Sequence, residues 1–276
     1  MNDKKDNGMG EYPNISLYLM GPIDTEGYWN DWLYFNDWPF NDTDTIRFYL
    51  SNKGLLSKEK PEENEKSIIY NPNNPFNYNY APYDSYPINI SSIWNDPKII
   101  SFETPICEEA YDIFGNVNLE VYLSSYREDT DVIAQLVDIY PDGRKIWFSS
   151  GVLKTRYRDG FDRENFLIPF EIAKLNIDMR YTAYTIVPGH KLGIYITSSN
   201  SALFAINPNT SEPVNKSKDT LVAINTFHFG GDNATVLVLP IRKLGAVSVS
   251  ESCHKNSVTV YPNPFSQSTV IGYQLS

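Results

Sequence analysis

The clearest pattern of apolar and polar positions runs from Glu128 to Arg158. Val132, Ala134, Leu136 and Asp138 alternate with Ile133, Gln135, Val137 and Ile139. A period of two predicts a strand with one face in a core and the other nearer water. Tyr140-Pro-Asp-Gly-Arg144 then supplies turn chemistry. Pro141 presets φ, Asp142 bonds its own backbone and Gly143 tolerates a positive φ. Ile146, Phe148 and Val152 run back beside the first strand, so the segment predicts a β-hairpin.

Strand patterns recur on both sides of this hairpin. Asn14–Gly21, Thr45–Leu50, Ser67–Tyr70, Ile99–Phe102 and Gly115–Ser124 precede it. Glu171–Asp178, Ala183–Val187 and His190–Thr197 follow it. Val222–Phe229, Gly230-Gly231 and Thr235–Ile241 predict a closing hairpin. Pro22–Asp37, with Trp29 and Trp32 and leading to Trp38, is expected to be a loop, as are Phe161–Phe170 and residues 209–219. Phe76–Pro97 has no clean period and predicts a long ordered loop, a type of segment that is usually functional or disordered. Short strands, frequent turn signals and almost no 3.6-residue period predict an all-β jelly-roll β-sandwich. Residues 1–12 read as a loose polar lead, 13–245 as the sandwich, 246–256 as a small polar linker and 257–276 as the start of something new.

Composition supports this picture and excludes others. Tyr, at 20 of 276 residues, favours pleated strands, and 18 Pro with 15 Gly punctuate the chain. A net charge of -11 argues against a nucleic-acid partner, which requires a clustered basic surface. No apolar run approaches the roughly 20 residues of a membrane helix, and the charged opening Met1-Asn-Asp-Lys-Lys-Asp is unlike a signal peptide. Cys107 and Cys253 lack metal-type spacing and are expected to be unpaired thiols.

Candidate chemistry is sparse. Nucleophilic catalysis needs a Ser or Cys beside a base that a third group orients. The chain has only His190, His228 and His254, and each is expected to be structural. Asp129, Asp131, Asp138 and Asp142 invite a calcium reading but lack the spacing of a calcium loop. Asp129-Thr-Asp131 is expected instead to tie down a strand start. Arg156 and Arg158, two apart, are expected to share one strand face and pair with such carboxylates. No metal and no cofactor is expected. The aromatic stretch Tyr78, Tyr80, Tyr83, Tyr86 and Trp94 is open to three readings. It is a solvated cover over the sandwich, the wall of an acyl or proline pocket, or a stacking platform for sugars in a carbohydrate- or cell-wall-binding module.

Taken together in order and spacing, several pieces resemble the C-terminal jelly-roll domain of the X-Pro dipeptidyl-peptidase family, which includes cocaine-esterase-like and α-amino-acid-ester hydrolases. They are Leu17-Tyr-Leu-Met-Gly21, Trp38-Pro39, Arg47-Phe-Tyr-Leu50, Asp129-Thr-Asp131, Tyr140-Pro-Asp-Gly-Arg144, Gly151–Arg158, Val187-Pro-Gly-His190, Asn207-Pro-Asn-Thr210 and Leu239-Pro-Ile241. The resemblance implies a galactose-binding-like sandwich that serves an α/β-hydrolase catalytic domain of the same polypeptide, walls its cleft and meets its peptide or ester substrate only indirectly. That catalytic part carries a G-x-S-x-G elbow with an Asp and a His after it. No such elbow occurs here, so the chain alone is expected to be inactive and to be cut from a longer protein. The segment 76–96 also departs from the family, with aromatics where a glycine pair and an Asp-Gln usually stand. Val260-Tyr-Pro-Asn-Pro-Phe265 and Thr269–Leu275 resemble the start of a type IX secretion sorting domain, which implies export to the surface or exterior of a Gram-negative bacterium.

Overall fold

The structure is a computed structural model that describes residues 13–37, 43–78, 87–213 and 216–242, and the backbone of 259–261 and 270–272. Its strands are β1 (Ile15–Leu19), β2 (Asp31–Phe35), β3 (Thr43–Leu50), β4 (Leu56–Ser57), β5 (Asn64–Tyr70), β6 (Ile99–Glu103), β7 (Tyr111–Ser125), β8 (Asp131–Ile139), β9 (Lys145–Lys154), β10 (Ala173–Ile186), β11 (Lys191–Thr197), β12 (Ala223–Phe229), β13 (Val236–Arg242), β14 (Thr259–Tyr261) and β15 (Val270–Gly272). The chain divides into two compact units, Met1–Ala246 and Val247–Ser276. Within the second, β14 and β15 pair antiparallel, Val260 opposite Ile271. The linker, Cys253 and His254 lie outside the described residues.

The first unit is a β-sandwich. One sheet runs β4-β3-β13-β7-β12-β5, with β10 also on β7, and the other runs β6-β11-β8-β9. The fifteen-residue β7 is the spine. Its Val117, Leu119, Val121 and Leu123 point into the interlayer core, as the alternation predicts. The opposing sheet answers with Val132, Ala134, Leu136, Leu192, Ile194 and Ile196. Asn225 helps close the layers: its Nδ2 donates to Thr130 Oγ1 and Ser198 Oγ, both at 2.8 Å, while Ser125 Oγ donates to its Oδ1 at 2.7 Å.

Every residue of β8 is buried. Val137 and Ile139 point out of the interlayer core with Tyr195 of β11, but Phe76, Ile90, Ile93 and Trp94 cover that outer face in a second apolar cluster. The hairpin turn follows the sequence expectation. Gly143 has φ 90, and Asp142 Oδ1 accepts from Arg144 N at 3.0 Å.

Three sequence expectations are corrected. The stretch 22–37 is not all loop, because β2 pairs along β1 with Leu17 opposite Leu33. Its exposed Trp32 and Tyr34 and its Asp and Asn flanks hid the strand pattern. Residues 173–186 form one strand, β10, whose register slips between Asp178 and Tyr181, where Arg180 takes φ 70. The closing segment is not a hairpin. Both β12 and β13 run antiparallel to β7 in succession, from Asn225 opposite Ser125 to Arg242 opposite Asp112. Because β10 also pairs with residues 113–120 of β7, it holds the opposite edge. Gly230 (φ 74) and Gly231 (φ 52) make a detour between two stretches of one path, not a reversal. A Cβ on Gly230 would fall 2.3 Å from the carbonyl oxygens of Pro61 and Glu62, so only glycine fits there.

Candidate functional site

Among the described residues, three gatherings of chemistry-bearing side chains bear on the sequence expectations. The first is a buried ionic knot where β8 begins. Asp129 is fully buried. It accepts from Thr155 Oγ1 (2.9 Å), Arg156 N (3.0 Å), Arg156 Nε (2.8 Å) and Asn207 Nδ2 (2.9 Å). The Asn207 amide also donates to Asp131 Oδ1 at 2.7 Å, which in turn takes Lys154 Nζ at 2.8 Å. Arg156 is wholly buried and spends its remaining donors on Glu164 Oε1 (2.9 Å) and the carbonyls of Thr210 (2.6 Å) and Glu212 (3.1 Å). Its guanidinium carbon lies 4.9 Å from the centre of the Phe166 ring. Burial works against its charge, but the bonds and charges of Glu164 and Asp129 outweigh that and hold its pKa above the ordinary arginine value.

These contacts join Asp129-Thr-Asp131 and Thr155-Arg156, at the ends of the successive strands β8 and β9, to the more distant Asn207-Pro-Asn209. The pairing of Arg156 with a carboxylate follows expectation. Its setting does not, because Thr155–Tyr157 is a turn of 3-10 helix and not a strand face. Among the described residues Arg158 pairs with no carboxylate; its guanidinium donates to the carbonyls of Thr155 (3.2 Å), Phe166 (3.2 Å) and Asn165. Among the described residues no three His, Cys, Asp or Glu side chains form a group fit to hold a metal.

The second place is the buried pair of Asp138 and His190, with Asp138 Oδ1 and His190 Nδ1 2.8 Å apart and Tyr184 OH donating to Asp138 Oδ2 at 3.0 Å. Burial pushes the Asp138 carboxyl above its ordinary pKa despite these bonds, and burial does the same to Asp131 despite Lys154. A carboxyl raised in the fold keeps its proton at a pH where the unfolded chain has lost it. Its contribution to stability is full below the unfolded value of about 4 and is lost as pH rises through the raised folded value. Asp131→Asn is therefore expected to flatten the fall in stability as pH rises above about 4. Urea titrations from pH 4 to 8 check this; an unchanged slope contradicts it.

The third place is the solvent face of the first sheet. Ser124 Oγ lies 2.9 Å from His228 Nε2, and His228 Nδ1 lies 3.4 Å from Glu65 Oε2. By distance this is a nucleophile, a base and an acid in line, on β7, β12 and β5. The surroundings do not complete it. Ser124 is the last but one residue of β7, and it is still paired there, opposite Thr226 of β12. The N–H donors of a paired strand lie in the sheet plane and are engaged by its neighbours, so none points at an oxyanion above Ser124. Glu65 is 63% exposed at its side chain, and water screens its charge. The row is a cross-strand polar ladder.

The aromatic segment divides. Trp94 is only 8% exposed, with its ring edge-on to Tyr195 at 6.5 Å between centroids. A Cβ on Gly193 would lie 2.8 Å from that ring, so β11 is shaped to receive it. Tyr78 is partly buried beside the same cluster and donates to the Asn89 carbonyl at 2.9 Å. Tyr80, Tyr83 and Tyr86 lie outside the described residues. An open cleft of about 830 Å³ at one end of the interlayer core is lined by Ile46, Phe48, Ile106, Tyr111 and Ile241, with Cys107. Burial pushes the Cys107 thiol up, so it is protonated at neutral pH and a poor nucleophile.

Two stacked sheets, with buried charged groups that lock loops and strand ends, define a β-sandwich domain. Residues 7–238 match the X-Pro dipeptidyl-peptidase C-terminal non-catalytic domain, and the chain belongs to that family. It is 28% identical over 253 residues to the cocaine esterase of a Rhodococcus species, an alignment covering 84% of this chain and 42% of the esterase. Its fold is shared with an aminopeptidase from a marine sediment archaeon of the Thaumarchaeota (TM-score 0.72, 20% identity, 78% of this chain and 39% of that one). It is shared also with an α-amino acid ester hydrolase (TM-score 0.71, 21% identity, 77% and 39%). The chain thus spans less than half the length of these relatives. Among the described residues no helix is long and apolar enough to cross a membrane.

Proposed function

We propose that this sandwich serves a hydrolase of the X-Pro dipeptidyl-peptidase and ester-hydrolase type by packing on its N-terminal α/β-hydrolase domain and walling the active-site cleft. The observation that carries the reading is the family match across residues 7–238. The wall is the segment with Tyr78, Tyr80, Tyr83 and Tyr86, and Trp94 is its anchor in the second apolar cluster. That division suits the chemistry: a rigid outer face on β8 and β11 holds one end of an aromatic segment whose other rings shape an acyl or proline pocket. The Ser-His-Asp triad belongs to the catalytic domain. The intact protein cleaves Xaa-Pro dipeptides from peptide N-termini or hydrolyses related esters and amides.

The purified 276-residue chain is accordingly expected to turn over neither a chromogenic Xaa-Pro amide nor simple aryl esters. A fluorophosphonate probe is expected to leave Ser124 unlabelled. Turnover abolished by Ser124→Ala, or labelling at Ser124, refutes the supporting role. Export by the type IX route is part of the same proposal and rests on Val260-Tyr-Pro-Asn-Pro-Phe265. Removing residues 257–276 from the gene is expected to hold the protein in the periplasm; undiminished surface display refutes that part.

A further inference from the structure

The β1–β2 hairpin turns Leu17, Leu19, Leu33 and Phe35 onto Phe114 and Ala183, in a third apolar cluster. Its other face carries Tyr18, Trp32 and Tyr34, exposed by 42%, 51% and 40%. Tyr18 and Trp32 stand opposite each other in the register, and their rings meet edge to face with centroids 5.5 Å apart. A two-stranded hairpin is marginal without further layers, and this one spends three large aromatics on a face that the sandwich does not cover. Trp and Tyr are the residue types on which interfaces concentrate their affinity. Beside Tyr18, a cleft of about 480 Å³ opens between Met20, Tyr140, Ile146 and Tyr184, of a size to receive a protruding side chain.

Charge and position narrow the occupant. Between Pro13 and Ile46 there is no Lys or Arg. Asp31 opens β2, Asp37 follows it and Glu26 precedes it, while Asp24 is already paired with Arg144. An aromatic face in an acidic setting suits arginine, which stacks on Tyr and Trp rings and pairs with carboxylates. The hairpin contains β1, the first strand of the described chain, and forms a two-stranded sheet of its own. It is thus the described element nearest in sequence to a catalytic domain that precedes this one.

We propose that the Tyr18–Trp32–Tyr34 face is the seat of the N-terminal catalytic domain and receives an arginine-bearing, otherwise apolar patch of that domain. This rests on the reading that such a domain precedes the sandwich and packs on it. The test uses that hydrolase domain, produced from the gene segment ahead of this chain, titrated calorimetrically against the full 276-residue chain. The parent chain binds. Tyr18→Ser/Trp32→Ser, with its melting temperature unchanged, binds at least about 30-fold more weakly. Phe161→Ser, an exposed aromatic beyond β9, binds as the parent does. Parent binding that the double variant retains overturns the assignment of the face and leaves the supporting role standing. No binding by the parent, or no hydrolase domain in the gene, overturns the supporting role itself. Saturable binding of cello- or chito-oligosaccharides that Trp32→Ser abolishes overturns the proposal in favour of a sugar platform.

Discussion

Replacing Asp129 with alanine is expected to cost about 3–5 kcal/mol, because it strands a charged group in the interior. Arg156 is wholly buried, and Asp129 takes both its Nε and its backbone N–H. Glu164 remains as a partner, but its side chain is 39% exposed and does not reach the Nε side. Asn207, Thr155 and the Arg156 amide lose an acceptor at the same time. For a body of this size the melting temperature is expected to fall on the order of 10 °C. A double variant, Asp129→Leu with Arg156→Met, is expected to recover much of the loss, since two apolar groups leave no unpaired charge. A single variant within about 1 kcal/mol of the parent in urea unfolding contradicts this account of the knot.

Trp94→Ala carries the second large effect, and it bears on function. The ring is sandwiched between the outer face of the second sheet and the chain that covers it, with Ile90, Ile93 and Tyr195 as neighbours. Truncating a buried aromatic usually costs about 3–5 kcal/mol, through lost burial and the cavity left behind. If Trp94 anchors the segment, the variant chain is expected to be destabilised by that amount, and the segment around Tyr78 is expected to exchange its amides faster. A Trp94 that itself lined a substrate pocket would instead leave the isolated chain's stability nearly intact. Chemical unfolding with hydrogen exchange on the 276-residue chain separates the two.

Much of the sandwich was legible because its strands obey a period of two. The β8–β9 hairpin and the inward face of β7 come straight from alternation and from the turn Tyr140–Arg144. What was hidden has physical reasons. On β8 apolar residues occupy both faces, and sequence does not say that Phe76, Ile90, Ile93 and Trp94 cover the outer one. On β2 the exposed positions are Trp32 and Tyr34, so burial and hydrophobicity part company. Gly230-Gly231 carries a strong reversal signal, but its positive φ angles serve a close pass by Pro61 and Glu62 within one continuing path. Asp178 and Arg180 break the β10 pattern, and a bent strand reads as two. The ionic knot was half visible. The Asp129 and Arg156 motifs lie close enough in sequence to be paired on chemical grounds. Asn207, Thr210 and Glu212 arrive from a distant loop that no periodicity points to. The alignment of Ser124, His228 and Glu65 was not visible at all, since it depends on the register of three strands drawn from both ends of the domain.

The strand order also fixes a schedule for the growing chain. β3 pairs with β13 and β5 with β12, so the first large strands take partners that lie almost a whole domain later. At about 5–20 residues per second, a ribosome delivers those partners on the order of 10–40 seconds after β3 and β5 emerge. Throughout that interval their backbone edges stand open to other nascent chains. Glu65 and Lys66 on β5, and Asp44 and Arg47 on β3, place charge along those waiting edges. A polypeptide stalled before Ala223 is accordingly expected to aggregate more readily than the full chain.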